Sequence, residues 1–261
     1  MDENDYLCSV NMRRMVKYVT GLLLLVMILA CRAARDIDLP RPLKGVSEQI
    51  LYRKGYVVSY NKDTRLPNWV AWHLTAEHTE GMVKRPSNNA WHDDMEVPKP
   101  RATSHDYYKT GWTRGHLCPV ADNKWDSEAM YETFLMTNCC PQHQSLNTGD
   151  WNEIEMSCRK WAKKHGDLYI VCGPLFIGKQ HEEIGANRVM VPEAFFKVVM
   201  CLNGKPKGIG YICRNRGDNH KKRFYQHSIR EVERITGMTF FPHLSSKVAK
   251  AVKDSADENE W

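Results

Sequence analysis

Along the chain, short apolar runs alternate with longer polar stretches, and the period of each run predicts its element. Tyr56 to Tyr60 and Trp69 to Leu74 read as strands, separated by the turn-forming segment Asn61 to Asn68. Leu168 to Phe176, Ala194 to Leu202 and Gly208 to Arg214 predict three more strands. The last two are joined by Asn203-Gly204-Lys205-Pro206, a hairpin signal. Trp151, Ile154, Cys158 and Trp161 recur at helical spacing, which predicts a helix ending near His165-Gly166. Ser228 to Glu231 is a capping box opening a helix through Ile235, with Gly237 closing it. Gly81 to Tyr108, rich in Pro, Asn, Asp and His, reads as a long surface loop, and the polar tail beyond Pro242 is expected to fray. Mixed strands and helices with a hairpin predict one α+β domain.

The N-terminus has a different pattern. Arg13, Arg14 and Lys17 precede an apolar run from Leu22 to Ala30, the layout of a secretory signal and too short for a membrane-crossing helix. The run ends in Ile28-Leu29-Ala30-Cys31, which resembles the lipobox of bacterial lipoproteins. The expected organisation is a lipoprotein-type signal over 1–31, an extended lead-in over 32–50, the main domain over 51–243 and a polar tail over 244–261. The protein is then exported, either tethered to a membrane through a lipidated Cys31 or free in the periplasm or medium.

Composition narrows the classes without choosing one. The 261 residues carry 37 Lys and Arg against 31 Asp and Glu, a formal charge of +6, with 42% apolar and 26% charged residues. These values exclude disorder throughout, collagen and a multi-span membrane protein. The basic excess is compatible with an anionic partner. Seven cysteines follow Cys31, and an oxidising compartment would permit disulfides while leaving one thiol over.

Candidate chemistry is concentrated between residues 112 and 155. Trp112-Thr113-Arg114-Gly115-His116-Leu117-Cys118-Pro119 is followed by Thr137-Asn138-Cys139-Cys140-Pro141-Gln142, then by Leu146-Asn147-Thr148-Gly149-Asp150-Trp151 and Glu155. A histidine can take a proton from water near neutral pH. The planar arginine fork matches phosphate oxygens. An amide or carboxylate oxygen suits Mg²⁺. If Asn147 opens the helix, Glu155 lies about 12 Å further along its axis, too far for both to ligate one ion. Trp151 between them is expected to pack.

The linked pattern R-G-H-x-x-P, T-N-x-x-P-Q and L-N-x-G-x-W-x-x-x-E resembles the DNA/RNA non-specific endonuclease family. That family includes secreted bacterial sugar-nonspecific nucleases and mitochondrial endonuclease G. The resemblance implies a ββα-metal (His-Me finger) fold and Mg²⁺-dependent hydrolysis of DNA and RNA, with Mn²⁺ able to substitute and 5′-phosphate products. It implies His116 as general base, Arg114 on the phosphate, Asn147 as the metal ligand, Asn138 as a supporting residue and Glu155 acting on the ion's water. An arginine from the first strand region assists phosphate binding in relatives, and Arg65 is the nearest candidate. A homodimer is a further expectation. The family motif usually begins with Asp, where this chain has Thr113. Two rival readings stand beside it. One is a zinc site built from His116, Cys118, Cys140 and His143. The other is a nucleic-acid-binding protein without catalysis, using Arg214, Arg216 and Lys221-Lys222-Arg223 with Phe224 and Tyr225.

Overall fold

A computed structural model describes residues 39–87 and 90–261; the export signal expected over residues 1–31 lies outside them. The strands in chain order are β1 (Gln49–Tyr52), β2 (Val57–Asn61), β3 (Leu66–Leu74), β4 (Thr113–His116), β5 (Cys139–Gln142), β6 (Leu168–Leu175), β7 (Glu183–Ile184), β8 (Val189–Met190), β9 (Ala194–Cys201), β10 (Lys207–Arg214) and β11 (Gln226–His227). The helices are α1 (Ala76–Glu80), α2 (Ser127–Glu132), α3 (Gln144–Thr148), α4 (Asp150–His165), α5 (Ile229–Thr236) and α6 (Ser246–Lys253). Seven strands form one antiparallel sheet in the order β1-β2-β3-β6-β9-β10-β11, and β4 pairs with β5 in a separate ribbon. This is the expected α+β architecture, with the ribbon and the helices after it forming the ββα unit.

Every residue of β9 is buried, so both faces of the sheet must be covered. The covering layers follow from the alternation of side chains along the strand. Phe195 faces α4, its ring 5.6 Å from that of Trp151, whereas Phe196 faces the other way and meets Phe240 at 5.4 Å. On that second face α5 and α6 lie against β10. Their approach depends on two glycines: a Cβ at Gly208 would come within 2.3 Å of the Val252 carbonyl oxygen, and one at Gly210 within 2.6 Å of Val232 Cγ2. The cap predicted for α5 is present, with Ser228 Oγ accepting from Glu231 N at 3.2 Å and Gly237 in the left-handed region at φ 71°.

Two expectations change. The C-terminal segment is folded rather than frayed. Lys253 Nζ donates to Phe240 O at 2.5 Å and Glu233 Oε1 at 2.8 Å, and Trp261 packs against Trp161 with ring centroids 4.7 Å apart. Lys164 Nζ also donates to Trp261 O at 3.0 Å. A polar composition concealed these anchors because each partner is distant in sequence. The seven cysteines after Cys31 are unbonded, buried thiols, so they pack as small apolar groups and form no disulfide framework.

The docked C-terminus yields the first prediction. Trp261→Ala removes a ring that also lies 5.1 Å from Lys207 Nζ, and it should cost about 3 kcal/mol in urea denaturation. A midpoint equal to wild type would show that this segment contributes nothing to stability.

Candidate active site

The β4–β5 ribbon sets Arg114 opposite Pro141, Gly115 opposite Cys140 and His116 opposite Cys139. Gly115 is required by close approach, since a Cβ there would sit 2.1 Å from Gln142 Oε1 and 2.7 Å from Gln142 Cβ. Beyond His116 the ladder stops and a side chain takes over. Buried Asn138 accepts from Cys118 N and donates to Cys118 O and Thr133 O, each at 2.9 Å, while its own carbonyl accepts from Leu117 N at 3.0 Å. Asn138 therefore clamps the chain that follows His116, with no part of it in the cleft.

That cleft, about 1000 Å³, is lined by Thr113, Arg114, His116, Asn147 and Glu155 together with Arg85, Lys109 and Arg159. Glu155 is the single carboxylate among its lining residues. His116 is half-buried, its ring 4.3 Å from Trp91 and 5.1 Å edge-on to Phe134, and its Nε2 has no hydrogen-bond partner among the described residues. Burial, reinforced by the Arg85 and Arg114 charges, pushes its pKa down to about 3. The imidazole is thus neutral throughout the physiological range. Glu155 moves the other way: burial raises it to about 7 against the opposing charge of Lys197.

Asn147 does not open the long helix. It belongs to the short α3, and Gly149, at φ −102° and ψ −106°, breaks the chain before α4 begins. His143 caps α3 by accepting from Ser145 N at 3.2 Å. Asn147 Nδ2 donates to Thr113 Oγ1 at 3.0 Å, and that hydroxyl donates to Gln142 O at 2.7 Å. Thr113 therefore orients the Asn147 amide and leaves its carbonyl oxygen as the remaining acceptor. One neutral hard oxygen beside a lone carboxylate, in a cleft open to water, suits a well-hydrated divalent ion such as Mg²⁺. The zinc alternative lacks its ligand set: among the described residues no three His, Cys, Asp or Glu side chains are gathered around one point.

Arg65 is not in the cleft. It sits in the β2–β3 turn at φ 60°, its Nη1 donating to Asp63 O at 2.6 Å. Arg85 and Arg159 supply cleft arginines that sequence reasoning missed. Arg159 follows Glu155 by one helical turn and so shares its face, a signal that was readable. Its Nη1 meets Asp122 Oδ1 at 2.9 Å. Arg85 comes from an aperiodic loop and carries no such signal. The basic segment after β10 is used in part for structure, with Arg216 paired to Asp218 and Lys222 to Glu258 and Ser157.

Residues 40–247 match the family described as DNA/RNA non-specific endonuclease. The chain belongs to that family. It is 36% identical over 205 residues to a protein named mitochondrial nuclease EXOG from Xenopus laevis, covering 72% of this chain and 57% of that one. It is 32% identical to human mitochondrial endonuclease G, covering 76% of this chain and 71% of that one. A solved endonuclease G, in a complex with EndoGI that concerns its inhibition, superposes with a TM-score of 0.70 at 28% identity, covering 80% of this chain and 92% of that one. The chain spans about three-fifths of the EXOG relatives, 57–60% of their length. These relatives are named as mitochondrial, not exported, and that finding overturns the exported, membrane-tethered localisation expected from residues 1–31.

The Asn138 clamp generates the second prediction. Asn138→Ala leaves the Cys118 and Thr133 backbone groups unpaired in the interior and should cost about 2–4 kcal/mol in denaturant unfolding. Wild-type stability in that variant would remove the clamp.

Proposed function

We propose that this chain is a divalent-metal-dependent endonuclease that hydrolyses phosphodiester bonds in DNA and RNA, with His116 as the general base. The observation that carries the reading is a neutral, half-buried imidazole in a cleft walled by Arg85, Arg114 and Arg159 with a single carboxylate. A phosphodiester enters a field of positive charge there, and the base beside it is kept unprotonated by burial and by the charges of Arg85 and Arg114.

In the proposed reaction His116 takes a proton from water as the oxygen forms its bond to phosphorus. The P–O3′ bond opens on the opposite side, the departing O3′ takes a proton from water, and the products carry a 5′-phosphate and a 3′-hydroxyl. Charge building on the non-bridging oxygens is met by Arg114, whose guanidinium is held by Ser104 Oγ and lies 5.8 Å from the Trp91 ring. Arg85 adds positive charge to the same wall, whereas the charge of Arg159 is answered by Asp122. The Asn147 amide oxygen would hold a divalent cation, Mg²⁺ or in its place Mn²⁺, which would supply further positive charge at the phosphate. Ionised Glu155 accepts hydrogen bonds from water in the cleft. Each of these groups acts on phosphate or water, so a 2′-hydroxyl is not needed and both polymers are substrates.

Three measurements test the scheme on supercoiled plasmid and unstructured RNA. His116→Ala should lose on the order of 10²–10⁴-fold in rate with folding intact; a fully active variant sinks the base assignment. Asn147→Ala should raise the half-saturating Mg²⁺ concentration on the order of 100-fold, and Thr113→Val about tenfold through loss of the amide's orientation. Unchanged metal dependence in both would take Asn147 out of the metal site. Since His116 stays neutral to about pH 3, the acid limb of kcat/KM should fall near pH 7, where Glu155 ionises, with activity rising as pH increases. Glu155→Gln should erase that limb, and a limb persisting near pH 7 would reassign it.

A further inference from the structure

Lys197 lies in the middle of β9, the strand Ala194–Cys201 in which every residue is buried. Its side chain is wholly enclosed, and its ammonium nitrogen makes no hydrogen bond among the described residues. A lone ammonium taken from water into a protein interior is strongly destabilised unless other groups answer its charge. Two aromatic faces do part of this, since Nζ is 4.3 Å from the Trp151 ring centroid and 5.4 Å from that of Trp72. Among the described residues one carboxylate comes within ion-pairing distance: Glu155 Oε1, at 4.0 Å.

The other groups that face Lys197 leave its charge to Glu155. Asp122 has both oxygens engaged, Oδ1 by Arg159 Nη1 at 2.9 Å and Oδ2 by Trp72 Nε1 at 3.0 Å. The thiols of Cys158 on α4 and Cys172 on β6 are pushed up to about 12 by burial and are uncharged at neutral pH. Around Glu155 itself stand Lys197 from β9, Asp122 from the turn after β4, Arg159 from the next turn of α4 and Arg85 from the loop before β4. Asp122 and Arg159 answer each other. Lys197, behind the carboxylate, is the foremost of the charges that oppose the effect of burial on Glu155.

We propose that Lys197 is a positioning residue of the catalytic cleft: its ammonium, held dry between Trp72 and Trp151, favours the charged form of the Glu155 carboxylate and presents it to the cleft from behind. Lys197 does not line the cleft and touches no substrate; it acts only through Glu155. The inference deepens the nuclease reading and rests on it for the role of Glu155, whereas the coupling between the two charges can be measured apart from any activity.

Lys197→Met keeps most of the apolar stem and removes the charge. In the full chain with Mg²⁺ and plasmid DNA, the acid limb of kcat/KM should move to higher pH by about one unit or more. Activity at pH 7 then falls roughly fivefold for a shift of one unit and recovers in alkaline buffer, with KM little changed. In a Glu155→Gln background the same substitution should add no further loss. A limb that stays in place, or a loss fully additive with Glu155→Gln, overturns the proposal and leaves Lys197 with a packing role. Should Lys197→Met fail to fold, Glu155→Gln changes a residue that borders the cleft and provides a second route. The ¹³Cε signal of Lys197 should then titrate at lower pH than in wild type, because the ammonium has lost its counter-charge, and identical titrations in the two proteins overturn the coupling. A wild-type chain that cuts neither DNA nor RNA refutes the nuclease reading instead, and the NMR comparison still decides the coupling.

Discussion

The antiparallel pairing of β4 with β5 is the interaction on which the rest of the cleft depends. Four residues of one strand contribute Thr113, Arg114 and His116, and a two-stranded ribbon of that length is marginal by itself. Its geometry is held from both ends. At one end Gly115 lets Gln142 lie across the strand, and Thr113 joins the ribbon to Asn147 on α3. At the other end Asn138 replaces the missing ladder with three side-chain hydrogen bonds. The chain just after β4 also meets the seven-stranded sheet, with Cys172 Sγ on β6 donating to Leu117 O at 3.4 Å.

Electrostatics in the cleft follow from which charges are buried and which are lined up at its surface. Arg85, Lys109, Arg114 and Arg159 border the opening against one carboxylate, an arrangement that concentrates polyanions. Burial, reinforced by the charges of Arg85 and Arg114, holds His116 neutral. Behind this wall a second layer of charge, formed by Asp122 and Lys197, runs back between Trp72 and Trp151. Ionised groups in such a layer keep their charge only when partnered, so the two layers are coupled. The helix stripe of Trp151, Ile154, Cys158 and Trp161 is what brings them into register, since it seats α4 on the sheet and turns Glu155 and Arg159 outward together.

Thr113 shows how a substituted motif position can still hold its neighbours in place. A hydroxyl cannot supply the charge of the usual Asp, but it can donate to Gln142 O and accept from Asn147 at once. Orientation of the amide survives while a negative charge beside Arg114 and His116 is lost. The cleft is more positive as a result, consistent with the strong depression at His116.

Local periodicity and capping chemistry, both written within a few neighbouring residues, determined the five longer strands, α4, α5 and the hairpin at Gly204 from the sequence by itself. The ordered motifs around His116, Asn138, Asn147 and Glu155 likewise determined the family. Tertiary structure alone decided the rest, because each remaining feature joins residues distant along the chain. Arg85, not Arg65, enters the cleft, as the loop before β4 folds over it and the β2–β3 turn does not. The polar tail becomes α6 and a docked Trp261 only because Glu233, Phe240, Lys164 and Trp161 wait at the surface it meets. Lys197 looks like a misplaced charge in an apolar strand, and becomes intelligible once the sheet sets it behind Glu155 between two tryptophan rings. A buried charge is tolerated for what lies around it in space, and sequence neighbours cannot report that.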